Sequence, residues 1–428
     1  MSPRKTLTIS LSILVSAMLI SSCSDSNNSS QNTTSSQRGI SADGKLMVSD
    51  KPIANPNTQS TTLPGSQFSN AIPTAPTIDI NAAAWALMDY ETGEILSEKN
   101  MNEPRKPASL TKIMTAYIVA EALKNGSIKL NEKVPVSQKA WKTGGSKMFI
   151  KPSDNVTVQD LLQGMIVASG NDATVALAEF LAGSEKTFTS LMNQTAAQLG
   201  MKGSHFSNSD GLPAPDQITT AYDMAILARA FIHNYPDVYK LYSQREFTWN
   251  GITQHNRNKL LDMNSYADGM KTGHTQAAGY NLVASTLKDN ERLISVVMGA
   301  PSDQMRAQES NKLLTYGDRF FETITLFSAG AKIEGIKLAG AEDPNQTISL
   351  SSKDSIMLTL PKSQISHVEK KLNINQGLSA PIEKGEQIGS IQVVLGSKLL
   401  ASVPLYSENE VNKAGFFTRM SNKVKSWF

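Results

Sequence analysis

Hydrophobic and polar positions follow three textures along this chain. Between about residues 82 and 330, strand-like runs enclose a block of helical periodicity. Ala84-Trp85-Ala86-Leu87-Met88 and Glu94-Ile95-Leu96 flank Glu91-Thr92-Gly93 and predict a hairpin. Behind Pro107, which suits a first helical turn, Ile113, Met114, Tyr117, Ile118 and Ala120 recur at helical spacing. Val158, Leu161, Leu162, Met165 and Ile166 form one helical face, with Thr157 as N-cap. Further helices are expected over Ala173 to Leu181, Phe188 to Leu199 and Ala221 to Ile232. Strand runs return at Met270 to Gly273, Asn281 to Ser285 and Leu293 to Met298, before a last helix carrying Leu313, Leu314, Phe320 and Phe321. Strands at both ends with helices between them predict one α/β (α+β) body whose sheet is assembled from both ends of the segment.

The second texture starts near Ala331. Thr347 to Leu350, Ile356 to Leu360, Ile388 to Leu395 and Leu399 to Leu405 are short alternating or apolar runs, and Leu395-Gly396-Ser397-Lys398 reads as a hairpin turn. They predict a small all-β domain. The third texture closes the chain. Phe416, Phe417, Met420, Val424, Trp427 and Phe428 share a helical face, with Arg419, Lys423 and Lys425 largely opposite. Such an amphipathic helix suits an anionic bilayer surface; its other use would be to dock on its own β-domain.

The N-terminal end adds an address. Arg4 and Lys5 precede the apolar run Leu11 to Ile20, a signal-peptide pattern too short to span a bilayer. The run ends at Ile20-Ser21-Ser22-Cys23, small residues before the only cysteine, which looks like a bacterial lipoprotein cleavage site with Cys23 as the lipidated residue. A single cysteine leaves stability to packing, without an internal disulfide. From Ser24 to about Ile78 the chain is rich in Ser, Asn, Thr, Gln and Pro, and reads as a disordered tether with a reach on the order of 40 Å. The expected division is 1–22 signal peptide, 23–78 lipidated cysteine and tether, 79–330 α/β body, 331–408 β-domain and 409–428 membrane-associating helix. The setting implied is the periplasmic face of a bacterial envelope. The 428 residues carry a formal charge of only +3, too small and dispersed for a nucleic-acid partner.

The candidate chemistry starts at Ser109. Lys112 lies three residues on, on the same helical face, so its amine can reach the hydroxyl and take its proton. That spacing alone is common; Ser2…Lys5 and Ser285…Lys288 share it. What singles out Ser109 is the order that follows, Ser169-Gly170-Asn171 and then Lys271-Thr272-Gly273-His274-Thr275. Ser-x-x-Lys, Ser-x-Asn and Lys-Thr-Gly in this order resemble the motifs of penicillin-binding proteins and class A β-lactamases. With His274-Thr275 following, the chain from about Ile78 onward is similar to the low-molecular-mass, serine-type D-alanyl-D-alanine carboxypeptidases.

That resemblance implies a penicillin-binding/β-lactamase-like transpeptidase fold and a set of roles. Ser109 would attack the terminal D-Ala-D-Ala bond of a peptidoglycan stem peptide and form an acyl-enzyme, and β-lactams would acylate it too. Lys112 would be the general base, its pKa lowered by burial and by the cation of Lys271. Ser169 would pass the proton to the leaving amine, and Asn171 would hold the substrate amide and orient Lys112. Lys271 and Thr272 would bind the substrate carboxylate from an edge strand, with Gly273 letting substrate backbone approach. The N–H groups of Ser109 and His274 are the implied oxyanion donors. Arg306 is the implied carboxylate contact, with Arg257 and Thr275 beside it. His205 and Asp223 are expected to have structural hydrogen-bonding roles, and His233 and His367 to be scaffold or surface. The loop from Trp141 to Met148 is shorter than the family's usual one. No metal or cofactor is expected, since no His, Cys and carboxylate cluster has ligand spacing. The implied biology is peptidoglycan remodelling and cell-shape maintenance.

The rival readings are weaker. A class A β-lactamase needs a Glu-x-x-Leu-Asn segment between the second and third motifs, and the only such string, Glu369-Lys370-Lys371-Leu372-Asn373, follows Lys271. A transpeptidase usually carries a further module, an endopeptidase relative typically lacks the His274-Thr275 pair, and a non-catalytic wall-binding lipoprotein has no use for Lys112 and Ser169 together.

Overall fold

Residues 74–415, apart from 339, 344 and 345, are described by the computed structural model, together with the backbone of the short antiparallel pair Gly39–Ile40 and Leu46–Met47. The signal peptide, Cys23, nearly all of the tether and the helix expected from Phe416 to Phe428 lie outside the described residues. The tether's expected last residues belong to the body. The Pro76 carbonyl accepts from the Tyr316 hydroxyl at 2.8 Å, and Ile78 packs beside the buried Ile80.

The catalytic body is built on a five-stranded antiparallel sheet in the order β2-β1-β5-β4-β3. Its strands are β1 (Ala84–Asp89), β2 (Ile95–Lys99), β3 (Ala267–Thr275), β4 (Gly279–Lys288) and β5 (Glu291–Ala300). Both ends of the segment contribute to it, because β1 pairs with β5. The longer helices among the described residues are α1 (Thr111–Lys124), α2 (Val158–Ile166), α3 (Asn171–Ala182), α4 (Glu185–Leu199), α5 (Ala221–Asn234) and α6 (Asp303–Phe320). Most of α1 is buried on every side, so it is a central helix and not an amphipathic surface one. At the start of α2, the Thr157 side chain accepts from the Asp160 N–H while Asp160 reaches back to the Thr157 N–H. This reciprocal cap satisfies donors that a helix start otherwise leaves free. One face of the sheet packs on the helical block; the other packs on α6 through Trp85, Leu87, Leu282, Val297, Leu313 and Leu314.

The β-domain comprises β6 (Phe321–Phe327), β7 (Lys332–Lys337), β8 (Thr347–Ser351), β9 (Ile356–Pro361), β10 (Val368–Ile374), β11 (Gln387–Leu395) and β12 (Lys398–Ser407). β6 pairs with β9, and the other five form a sheet in the order β7-β8-β12-β11-β10 around Ile348, Leu350, Ile388, Val393 and Leu405. Three details differ from the sequence reading. Helix α6 stops at Phe320, and Phe321 opens a strand. That strand, Phe321–Phe327, lies within the stretch assigned to the catalytic body, yet its partner Ile356–Pro361 belongs to the β-domain. A ribbon formed by Glu246–Trp249 and Ile252–His255 was not expected either.

Candidate active site

Ser109 sits in a single 3-10 turn, Ala108–Leu110, that runs straight into α1. The turn is pressed in from two sides. A Cβ on Gly211, whose φ is +86°, would lie 1.9 Å from the Ala108 carbonyl oxygen. A Cβ on Gly273 would lie 2.8 Å from the Pro107 carbonyl oxygen and 3.2 Å from the Ser109 nitrogen. Gly273 is thus needed for the protein's own turn, whereas the sequence reading gave the space to substrate backbone. Asn281 on β4 completes the clamp: its amide donates to the carbonyls of Lys106 and Pro107 at 3.1 and 3.3 Å. Ala108, just before the serine, is itself left-handed at φ 49°.

One helical turn after Ser109, the Lys112 amine is 1% exposed and surrounded by oxygen. Its Nζ donates to Ser109 Oγ at 3.0 Å, to Asn171 Oδ1 at 2.7 Å and to the Asp210 carbonyl at 2.5 Å. Burial is the main force that pulls the Lys112 pKa down, to about 8; the Asp210 carboxylate opposes it and the Arg257 cation assists it. The expected cation, Lys271, is not among the causes. Asp210 is buried and its own pKa is raised by that burial.

The second motif closes the site from the helical side. Ser169 follows α2 in the left-handed region, at φ 58°, and Asn171 opens α3. Asn171 donates from its amide to the Gly144 carbonyl at 2.7 Å and from its backbone to the Ser146 carbonyl at 2.7 Å. The loop from Trp141 to Met148 therefore touches the site through its backbone.

The third motif lies on β3, an edge strand of the sheet. Lys271 is buried, and its Nζ donates to Ser169 Oγ at 3.0 Å and to the Thr272 carbonyl at 3.1 Å. Burial first, then the nearby Lys112, Arg257 and Arg306 cations, hold its pKa well below the ordinary lysine value. Behind the strand, Arg306 donates to the Gly273 carbonyl at 3.2 Å and pairs with Asp303. His274 is exposed and stacks on Tyr280 with 4.0 Å between ring centres. At the other end of β3, Asp268 is gripped by both terminal nitrogens of Arg292, at 2.9 and 2.7 Å. Arg257 is exposed at the rim and donates to Ser146 Oγ at 2.8 Å. A small cleft lined by Pro107, Ala108, Leu212, Gln217 and Thr275 opens beside the turn.

Hydrogen bonds thus join Lys112 to Ser109 and Asn171, and Lys271 to Ser169, and the two amines are near enough for the Lys112 cation to depress the Lys271 pKa. Thr272 and Gly273 flank them, Arg306 lies behind, and Arg257, His274 and Thr275 stand at the rim. His205 and Asp223 make only structural bonds, to the Asp216 carbonyl and to Ser204 and Gly203. Sequence reasoning missed Asp210, Gly211, Asn281 and Asp172. The Asp210-Gly211 pair was a turn signal; the other two carry no motif.

Comparison with known proteins places this geometry. Residues 69–302 match the family model for D-alanyl-D-alanine carboxypeptidase, peptidase S11, and residues 321–413 match that for the penicillin-binding protein 5 C-terminal domain. The D-alanyl-D-alanine carboxypeptidase DacC of Escherichia coli is 43% identical over 366 residues, covering 83% of this chain and 90% of the relative. The crystal structure of penicillin-binding protein 5 from Haemophilus influenzae has a TM-score of 0.72 and 41% identity, over 79% of this chain and 99% of that one. Penicillin-binding protein D2 from Listeria monocytogenes, in its ampicillin-bound form, has a TM-score of 0.53 and 30% identity, over 57% of this chain and 100% of that one.

Proposed function

The chain belongs to the D-alanyl-D-alanine carboxypeptidase family, peptidase S11, and on that premise we propose that Ser109 is its nucleophile, Lys112 the base that activates it and Lys271 the anchor for the substrate carboxylate. The protein is a serine-type D-alanyl-D-alanine carboxypeptidase and binds penicillin. Its substrate is the peptidoglycan stem peptide, and its role is in cell-wall remodelling.

The surroundings of Lys112 carry the assignment of roles. A neutral amine has two N–H donors and one lone pair. The Asn171 and Asp210 oxygens take the two donors, at 2.7 and 2.5 Å, and leave the lone pair for the Ser109 hydroxyl at 3.0 Å. Ser109 Oγ attacks the carbonyl carbon of the D-Ala-D-Ala bond as its proton passes to Lys112. The C–N bond then breaks, and the departing D-alanine amine takes the proton back, with Ser169 as relay. The Ser109 and His274 N–H groups stabilise the oxyanion, a contribution worth roughly 3 kcal/mol per donor. A protonated Lys271 spends two donors on Ser169 and the Thr272 carbonyl, so one remains for the substrate carboxylate, with Thr272, Thr275 and Arg257 around it. Arg306, the expected carboxylate contact, is instead buried behind the strand and bonded to the Gly273 carbonyl and Asp303. Water attack on the ester ends the cycle. In a β-lactam the leaving amine stays tethered, which favours a lasting acyl-enzyme.

Intact-mass measurement after penicillin treatment tests this. The wild type should gain one penicillin mass and Ser109→Ala none, and only the wild type should release D-alanine from a D-Ala-D-Ala peptide. Labelling of Ser109→Ala, or fast penicillin turnover without D-alanine release, would sink the assignment.

The proposed setting is the periplasmic face of the envelope, with Cys23 lipidated and the segment after 415 on the membrane surface. Residues 409–415, which the sequence reading gave to that segment, are bonded into the β-domain, where Val411 exchanges backbone hydrogen bonds with Ile382 and the Ala414 N–H donates to the Gly340 carbonyl. The support is the Ile20-Ser21-Ser22-Cys23 string and the one-sided placing of Phe416, Phe417, Met420, Val424 and Trp427. The pairing of Phe321–Phe327 with Ile356–Pro361 favours a division between the catalytic body and the β-domain near residue 320, ahead of the expected 330. Fractionation of Cys23→Ser, of a chain truncated after 415, and of both together would decide whether either anchor holds; membrane retention of the doubly altered chain would refute both.

A further inference from the structure

We propose that Asp172 is a positioning residue for the reaction: its buried carboxylate fixes the loop of residues 144–150, and through that loop fixes which end of the Asn171 amide faces Lys112. The proposal rests on the roles given to Ser109 and Lys112 above.

Asp172 directly follows the second motif and is fully buried. No cation pairs with it in the ion pairs of the described residues. Its oxygens instead accept from backbone N–H groups: Met148 at 2.8 Å, Phe149 at 2.8 Å, Ile150 at 3.2 Å and Ala173 at 2.9 Å. Three consecutive loop amides thus converge on one carboxylate, which requires a tight bend, and Phe149 is left-handed at φ 70°. The Phe149 side chain is 49% exposed, so packing of that ring does not hold the bend. Charge-assisted bonds of this kind are the stronger class of hydrogen bond. Gly170 is constrained by the same anchor: a Cβ there would lie 2.9 Å from both an Asp172 carboxylate oxygen and the Met148 nitrogen.

The other end of the loop meets Asn171. The carbonyls of Gly144 and Ser146 accept from the Asn171 side-chain amide and backbone, each at 2.7 Å. Gly145 is in the left-handed region at φ +79°, and a Cβ on it would lie 2.6 Å from the Asn171 amide nitrogen. An asparagine whose N–H₂ is held this way must turn its oxygen the other way, and that oxygen is the one Lys112 donates to at 2.7 Å. If the loop relaxes, the amide can flip. Lys112 then loses an acceptor and meets a donor, and its lone pair is no longer directed at Ser109. Asp172 touches no reacting atom; its positioning effect runs through the loop and Asn171. Its charge by itself raises the Lys112 pKa, so removing the charge would leave more free base and opposes the loss expected of Asp172→Asn.

The test is a double-mutant comparison of penicillin acylation rates, read by intact mass, for wild type, Asp172→Asn, Asn171→Ala and the double variant. Asp172→Asn should acylate on the order of 10–100-fold more slowly, as expected when a reacting group is displaced by about an ångström. The double variant should be no slower than Asn171→Ala, to within roughly twofold, since one route carries both effects. Losses that multiply, or an Asp172→Asn rate within about twofold of wild type, would overturn the proposal. Hydrogen exchange on the unaltered protein judges the anchor even if a variant does not fold. The amides of Met148, Phe149 and Ile150 should be protected despite the exposed Phe149 ring, and exchange at the rate of free peptide would refute the anchoring. Failure of wild-type Ser109 to acylate would instead count against the proposed roles, with the exchange result unaffected.

Discussion

Lys112 holds its amine 3.0 Å from the Ser109 hydroxyl in a place almost closed to solvent. Burial lowers its pKa to about 8, so the base form is scarce in acid and dominant above that value. The acylation rate should fall about tenfold per pH unit below about 8 and level off above it. A rate that does not change between about pH 6 and 9 would exclude Lys112 as the base. The Arg257 cation also pushes Lys112 down, so Arg257→Gln should raise the Lys112 pKa and move the limb to higher pH. The variant would then lose more activity at neutral pH than in alkali; movement of the limb toward acid would reverse the argument.

Lys271 makes a separate prediction. Burial and three neighbouring cations hold its pKa well down, yet an amine that binds a carboxylate does so best when charged. The incoming carboxylate should raise that pKa, and the enzyme should take up protons as it binds. Calorimetry of a D-Ala-D-Ala peptide binding to Ser109→Ala, in buffers of different ionisation enthalpy near neutral pH, reads the uptake directly. Up to one proton per site is expected, since one amine changes state. Binding enthalpies that are the same in all buffers would show that Lys271 is already charged in the free enzyme.

What was legible in the sequence is what short-range geometry sets. Ser109 and Lys112 are one helical turn apart, and that spacing alone brings hydroxyl and amine together. The helix after Thr157 was legible because its cap and apolar face are both local. What was not legible depends on partners far along the chain. Asp210 serves Lys112 through a backbone carbonyl, a group every residue has. Asn281 and Asp172 matter because the fold brings the Ser109 turn and the 144–150 loop against them. Phe321 continued the apolar periodicity of α6, and only its pairing with Pro361 makes it a strand residue. The role of Gly273 was misread for a related reason: the atoms that would crowd its Cβ are the protein's own.

The two glycines that press on the Ser109 turn should respond differently to substitution. Gly273→Ala would place a methyl 2.8 Å from the Pro107 oxygen and 3.2 Å from the Ser109 nitrogen, both backbone atoms, so the turn itself must move, though by less than for Gly211. The expected result is a stability loss of about 1–3 kcal/mol and a larger proportional loss of acylation. Gly211→Ala would place its methyl 1.9 Å from the Ala108 oxygen at a φ of +86°, which no small shift relieves. It should unfold at a markedly lower temperature than Gly273→Ala. By contrast, Gly126→Ala meets nothing within 4 Å and bears only the backbone strain of φ +78°, about 1 kcal/mol. Thermal unfolding of the three variants gives the order; equal losses would mean that the turn is softer than its contacts imply.

Thr323 tests how the two bodies are joined. Its hydroxyl donates to the buried Asp89 carboxylate at 2.9 Å and lies 2.9 Å from the Thr359 hydroxyl. Thr92 donates to the other Asp89 oxygen at 2.7 Å and also lies 2.7 Å from Thr359. Asp89 and Thr92 belong to the catalytic body, and Thr323 and Thr359 to paired strands of the β-domain. With two of the three hydroxyl protons spent on the carboxylate, the Thr359 proton can link to Thr92 or Thr323, which makes the cluster a cross-body joint around one charge. Thr323→Val keeps the shape and removes one donor, so Asp89 should lose support worth about 1–3 kcal/mol, visible as a lower unfolding temperature. The strand order puts two strands between β1 and β3, roughly 14 Å of sheet, so the acylation rate should stay within about twofold of wild type. An unchanged unfolding temperature would show that water replaces the lost donor. A fall in acylation would instead mean that the setting of the β-domain is felt at Lys271.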